Sequence, residues 1–542
     1  MSASARRRKF WGWGYEGDVL SEEELNWLEG TWAAFFGVDH FEVTPPPTVE
    51  EIELYPPRLS VPSQLAAICT TEPYERLRHA YGASFPDSAR AFARDFSHPP
   101  DVVAYPRDVQ EIVALLDWCY DHDIIVVPFG GGTSVVGGVE PPSGAERVLT
   151  IDLTRMRRVL EIDEQSQVAL IEAGAAGPVL EEQLRPTGWT LRFFPQSFEF
   201  STLGGWIATR AGGHFATLAT HIDDLVESVE LVTPRGLVLT PRFPASGAGP
   251  DPLRLWLGSE GIFGLITRAW VRIGRRPRFR ASASVRFEDF ARASEAVRAI
   301  AQAGLYPANC RLLDPLESLG SGLGNGTQAF LILTFESADH ALDPWLRRAL
   351  ELCADYGGVV ESQASESGEG EGHRQGAAGR WRQRFLRMPW YREALTARGI
   401  ISDTFETAVT WERFSHLYEQ VRLATAQAIH EVTGKAGWVS CRLTHVYPDG
   451  AAAYFTFCAL GRKTSLVEQF WEIKRVALSA VTEQGGTITH HHAVGRDHRP
   501  WYDRERPALF AEVLRAAKET LDPRWLLNPG VLLDPPVSLG VI

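Results

Sequence analysis

Arg442, Tyr454 and the run His490-His491-His492 are the residue types in this chain best suited to moving a proton beside an anion. Arg442 and Tyr454 flank the stretch VSCRLTHVYPDGAAAYFTF, where Pro448-Asp449-Gly450 is a turn signal between two β-rich runs. Their positions differ by an even number, so a hairpin can place both side chains on one sheet face. A guanidinium there can grip phosphate or carboxylate through paired N–H donors. A phenol beside it can give or take a proton. The competing reading is a structural ion pair and an interfacial tyrosine. Arg311, in CRLLD, joins the candidates.

The histidine triplet admits three readings. Metal binding is one, but adjacent residues of a strand point in different directions, so chelation by all three is awkward. Solvated or core-satisfied histidines are another. A polar wall lining an anionic substrate site is the reading preferred, with no metal expected.

The elements that must position these groups lie upstream. VPFGGGTSVVGG (127–138) directly follows a short apolar strand, 124–129. Consecutive glycines allow positive φ, and successive amides can point into one concavity and hold an anion. Thr133 and Ser134 add hydroxyls. The loop lacks the lysine of a P-loop and does not open a long helix as a Rossmann loop does. A second loop, FFPQSFEFSTLGGWIATRAGG (193–213), supplies Ser197, Ser201, Thr202 and Thr209. A third, GSEGIFGLITRA (258–269), carries Gly258, Gly261 and Gly264. Three such loops beside strands suit a long ligand with a central pyrophosphate.

The chain has 542 residues, 44% of them hydrophobic and 23% charged, which suits two or three globular domains. A net charge of −14 argues against a nucleic-acid partner. The six cysteines form no C-x-x-C pair and read as reduced thiols of a cytoplasmic protein. No stretch of 18 apolar residues occurs. The Arg/Trp-rich start is suited to peripheral membrane contact, although a packed arm, with Trp11 and Trp13 docked, is preferred.

The pattern divides the chain into an N-terminal arm (1–95), a strand–helix domain (96–275), a second α+β region (276–485) and a C-terminal segment (486–542). Asp108 reads as the N-cap of a helix to about 121, with Val109, Ile112, Val113 and Leu116 on one face. Strands are expected at 148–153, 167–175, 226–240, 261–273, 330–336 and 451–460, and helices at 176–189, 341–355, 411–433 and 506–520. The run 361–380, rich in Gly, Ser and Glu, reads as a mobile loop.

In order along the chain, WGWGYEG, PFGGGTS, PQSFEFSTLGGWIATRAGG, DLVESVELVTPRG, GSEGIFGLIT, CRLLD, FETAVTW, CRLTHVYPDGAAAYFTF and THHHAVG resemble the vanillyl-alcohol oxidase and p-cresol methylhydroxylase flavoproteins. Within them, the motifs resemble those of the alkyldihydroxyacetonephosphate synthases. The resemblance implies an α+β fold. A two-lobed FAD-binding domain would precede an α+β cap domain over the flavin ring, and the C-terminal segment would return to the flavin side. It implies noncovalent FAD held by Pro128, Phe129, Gly130, Gly131, Gly132, Thr133, Ser134, Gln196, Ser197, Ser201, Thr202, Gly205, Thr209, Arg210, Ala211, Gly212, Glu260, Gly261, Gly264 and Ile266. Arg311 and Arg442 would bind substrate. Tyr454, His490, His491 and His492 would be catalytic. The implied reaction exchanges the acyl group of acyl-dihydroxyacetone phosphate for a fatty alcohol through a flavin adduct, with an anionic lipid substrate and a homodimer. The alternative is an FAD-linked oxidoreductase of a 2-hydroxy acid or related alcohol. The chain departs from the synthase pattern at His445, where a glutamine is expected, and at Thr456, where an aromatic is expected.

Overall fold

The computed structural model describes residues 6–367 and 388–536. Three sheets organise them. The first has the strand order Cys69–Thr70, Val102–Ala104, Val148–Asp152, Ile125–Phe129, and its last three strands are parallel. The second is wholly antiparallel: Val159–Asp163, Val168–Glu172, Leu265–Arg272, Val226–Thr233, Gly236–Leu239. The third has seven strands, in the order Val359–Ser367, Phe279–Phe287, Ala329–Ser337, Asn309–Leu313, Trp438–Val446, Gly450–Leu460, Ile400–Thr410. The first two sheets correspond to the two lobes expected of the flavin domain, and the third to the expected cap.

Asp108 does cap the helix Val109–Asp121, its side chain accepting from the Glu111 amide. The buried stripe differs from the expected one. Ile112, Leu115, Leu116 and Cys119 face the core, at i, i+3, i+4 and i+7, while Val113 is 39% exposed. The apolar run alone left two faces available, and packing on the first sheet selected this one. The expected strand over 261–273 begins only at Leu265, because Gly258 and Gly261 hold positive φ and turn the chain before it. Residues 361–367, expected in a loop, complete the edge strand Val359–Ser367, paired with Phe279–Phe287. The rest of the 361–380 run lies outside the described residues.

The period-two pleat of the third sheet places the chemistry. In Gly450–Leu460, residues Ala451, Ala453, Phe455, Phe457 and Ala459 pack into the cap core. That core also holds Phe414, Leu417 and Val421 of the helix Trp411–Thr433 and Phe470, Ile473 and Ala477 of Leu466–Glu483. The alternate residues Tyr454, Thr456 and Cys458 face a cavity toward the flavin domain. Ser440, Arg442 and Thr444 do the same on Trp438–Val446. Arg442 stands directly opposite Tyr454 in register.

The N-terminal arm is packed. Trp13 is 9% exposed and meets the rings of Phe200 and Trp390 edge-on, at 5.1 and 6.3 Å. Lys9 pairs with Glu393 at 2.8 Å. The C-terminal segment returns to the first lobe, where Leu527 bridges Val126. Among the described residues all six cysteines are free, and no helix is long and apolar enough to cross a membrane.

Candidate active site

One cavity of about 780 Å³ lies between the flavin lobes, the cap sheet and the N-terminal helix Glu22–Phe36. Gly130, Gly131, Gly132, Thr133 and Ser134 line it, as do Gln196, Ser197, Ser201, Thr202, Gly205, Thr209, Ala211 and Gly212. Among the described residues, the amides of 130–134 find no backbone acceptor. Five amides in sequence, with hydroxyls around them, form a nest suited to a pyrophosphate. The loop glycines have a second purpose that spacing did not reveal. Of Gly130, Gly131 and Gly132, only Gly132 has positive φ, at 64°. A Cβ on Gly130 or Gly131 would run into Thr202 or the Phe200 carbonyl, so these glycines let two cofactor loops pack together.

Seven of the expected cofactor residues do not line the cavity. Pro128 and Phe129 lie beneath the loop, where a Cβ on Gly261 would strike Pro128 and one on Gly132 would strike Phe129. Gly264 sits against the Val232 carbonyl, and Ile266 is in the second lobe's core. Arg210 pairs with Asp223 at 2.6 Å. Glu260 accepts from the amides of Val494 (3.0 Å) and Gly495 (2.8 Å), and so clamps the C-terminal segment to the flavin domain. The third glycine loop braces the site from behind.

Arg442 and Tyr454 meet across the hairpin, and Arg311 lines the same cavity. The Arg442 guanidinium stands 4.0 Å from the centre of the Tyr454 ring. Its Nη1 donates to Glu317 Oε1 (2.5 Å), whose other oxygen accepts from Ser440 (2.7 Å). Burial and the Arg442 charge bring Arg311 down to about 9, so it stays cationic at neutral pH. Tyr454 donates to Thr404 Oγ1 (2.9 Å), and burial raises its pKa while Arg442 opposes that shift. Lys474 holds this strand by donating to Asp403 and to the Thr404 carbonyl, both at 2.6 Å.

The histidine run is a turn wrapped on a carboxylate, not a strand. Glu406 accepts from the amides of His490 (2.6 Å), His491 (3.0 Å) and His492 (2.9 Å), and from Thr489 Oγ1 (2.7 Å). Burial would raise Glu406, but the neighbouring histidines and these amides hold it well below the usual carboxylate range. His491 and His492 line the cavity, and His490 sits behind them. A register shift after Leu443 turns His445 toward them. One nitrogen from each of His445, His490 and His491 falls within 4.8 Å of the others. Burial lowers the pKa of His445, His490, His491 and His492, so neutral imidazoles are favoured.

Glu317, Thr404, Glu406, Tyr447 and His221 escaped the sequence reading. Asp314-Pro315 is a legible helix start that puts Glu317 in the first turn. Nothing local announces a partner 125 residues away.

The lobes, the glycine nest and the cap define a flavoprotein of the FAD-linked oxidase class, and the site fits FAD. The FAD binding domain model matches residues 100–241, and the model for the C-terminal domain of FAD linked oxidases matches 276–532. Alkyldihydroxyacetonephosphate synthase of Trypanosoma brucei brucei is 32% identical over 484 residues, covering 86% of this chain and 78% of that protein. The chain belongs to the alkyldihydroxyacetonephosphate synthase family. Glycolate oxidase subunit GlcD of Bacillus subtilis (strain 168) is more distant, at 27% identity over 80% of this chain and 88% of its own length. Among solved structures, an alkyldihydroxyacetonephosphate synthase aligns with a TM-score of 0.79 at 24% identity, covering 96% of this chain and 98% of that one. A p-cresol methylhydroxylase aligns at 0.67 and 14% identity, covering 95% and 98%.

Proposed function

We propose that the protein exchanges the acyl group of acyl-dihydroxyacetone phosphate for a fatty alcohol and so forms an ether bond. The observation that carries this reading is the pairing of Arg311 and Arg442 beside Tyr454, in the wall of a cavity that also holds the glycine nest. Two buried guanidiniums suit a phosphate dianion, with Arg442 kept in place by Glu317. Tyr454 and His491, both on the cavity wall, would move a proton at the reacting carbon. Trp27, Leu28, Trp32, Phe35, Leu395 and Trp438 line the same cavity and suit acyl and alkyl chains. The nest would hold FAD, and that loop carries no histidine, cysteine or tyrosine, which supports noncovalent binding. The bound flavin would supply covalent catalysis without net electron transfer. The substrate is an anionic lipid. A homodimer in the cytoplasm, touching the membrane peripherally to collect that lipid, completes the proposal.

A 2-hydroxy acid would offer its carboxylate to the same arginines. The relation to glycolate oxidase subunit GlcD supports this second reading, an FAD-linked oxidoreductase. Anaerobic visible spectroscopy separates the two. Bleaching by acyl-dihydroxyacetone phosphate that recovers with fatty alcohol, with fatty acid released, supports the transferase. An unchanged spectrum, then lasting bleaching by a 2-hydroxy acid, replaces it with the oxidoreductase. Arg442→Ala should abolish ether formation while the yellow flavin stays bound. Normal turnover by that variant would remove the arginine from the mechanism.

A further inference from the structure

His490 is turned away from the cavity, yet it sits in an unbroken line of hydrogen bonds. His491 Nδ1 and His490 Nδ1 are 3.0 Å apart. His490 Nε2 lies 2.7 Å from the Tyr447 hydroxyl. That hydroxyl is 3.2 Å from Thr220 Oγ1, which is 3.2 Å from His221 Nδ1. The line ends where His221 Nε2 meets the backbone carbonyl of His490 at 2.7 Å.

A carbonyl cannot donate, and this fixes every proton along the line. His221 Nε2 must carry hydrogen, which leaves Nδ1 bare in the neutral ring. Thr220 therefore donates to His221 Nδ1, and Tyr447 donates to Thr220. His490 Nε2–H then donates to the Tyr447 oxygen, so His490 Nδ1 is bare. His491 must donate through Nδ1–H, which also faces the Glu406 carboxylate at 3.5 Å. Its Nε2 is left bare, on a ring that lines the cavity. A metal would compete for these same lone pairs. His445 is likewise committed, with Nε2–H donating to the Gly213 carbonyl (3.1 Å) and Nδ1 beside Thr444 (3.0 Å).

We propose that His491, His490, Tyr447, Thr220 and His221 form a proton relay that makes His491 Nε2 the base in the cavity and delivers the proton to His221. All four donors point outward, so one concerted shift carries charge without moving any heavy atom. One proton enters at His491 Nε2 and one hydrogen advances across each of the four bonds. His221 then becomes the imidazolium, at a half-buried position. Reversal returns the proton for the second half of an exchange reaction. Tyr447 and Thr220 are positioning residues in this scheme. The relay's use in turnover rests on the transferase reading above, whereas its hydrogen-bond direction does not.

The experiment is long-range ¹H–¹⁵N spectroscopy of the FAD-loaded enzyme labelled at histidine, with signals assigned through His490→Gln and His491→Gln. The wild type should show His491 as Nδ1–H, and His490 and His221 as Nε2–H. Thr220→Ser should keep that pattern. Thr220→Val removes the outward acceptor, so Tyr447 turns inward and His490 becomes Nδ1–H. Tyr447→Phe and Thr220→Val should lower kcat by about 10-fold or more at unchanged KM, and Thr220→Ser by less than about 2-fold. Wild-type His490 in the Nδ1–H form, or the same tautomers in Thr220→Val, would overturn the relay. So would one equivalent of divalent metal that is lost with His445→Ala. If the wild type forms no ether product, the function reading fails while the tautomers still decide the relay's direction.

Discussion

Arg442 is 1% exposed, and among the described residues its counter-ion is Glu317, 5% exposed. Neither charge can reach bulk water, so each depends on the other. Removing one partner of such a pair costs about 3–5 kcal/mol, mostly because the other charge is stranded. Arg442→Met should therefore destabilise the enzyme by about that amount. Glu317→Gln in the same chain should recover much of the loss, since glutamine keeps an acceptor for Ser440 and carries no charge. Urea unfolding of the wild type, both single variants and the double variant measures the coupling. Additive effects would mean that the pair does not act as a unit. This contrast also marks how far residues are legible in sequence. Arg442 and Tyr454 were readable because one hairpin holds both, with its turn written in Pro448-Asp449-Gly450. Glu317 and Glu406 were not, because each meets its partner across more than eighty residues, and a lone carboxylate in an ordinary stretch carries no signal.

Strands and helices were largely legible because their periodicity is local, while the reason for a glycine was not. Gly130 and Gly131 read as room for a ligand, yet they are equally room for the Phe200–Thr202 segment. Glu260, read from the sequence as a cofactor residue, also clamps two elements together, which its local sequence does not announce. That clamp has a pH signature. Burial pushes Glu260 up from 4.5 to about 7, against the two amides that donate to it. Below pH 4.5 both folded and unfolded chains hold the proton, and nothing is lost. As pH rises toward 7 the unfolded chain releases its proton first, so stability falls, by about 3 kcal/mol once pH passes 7. Glu260→Gln lacks this titration. The stability of the FAD-saturated variant relative to wild type should climb by about that amount between pH 4.5 and 7.5, whatever its constant offset. A flat difference in a series of urea midpoints would show that the Glu260 carboxyl titrates normally in the fold.

At the scale of the whole molecule, the distant N-terminal arm, the flavin lobes and the cap converge on Trp13. Lys9 reaches Glu393, and that carboxylate also accepts from the Trp13 amide. Trp13 lies against Phe200 on one side and Trp390 on the other. Phe200 in turn presents its carbonyl to Gly131, in the loop whose amides find no backbone acceptor among the described residues. The arm therefore backs the cofactor loops from outside both lobes, through contacts that no local reading of WGWGYEG could reveal. Trp13→Ala removes a large ring from between these parts. Such truncations cost about 3–5 kcal/mol in a packed site, and here part of that cost falls on the cofactor loops. The expected result is weaker FAD binding, by about 10-fold or more in Kd, measured by quenching of flavin fluorescence on titrating the apoprotein. With FAD saturating, kcat should stay near wild type, because the ring contacts of Trp13 are with Phe200 and Trp390 and not with the Arg442–Tyr454 pair. An unchanged Kd with a lowered melting temperature would make the arm a general brace. A lowered kcat at saturating FAD would move Trp13 into the reaction itself.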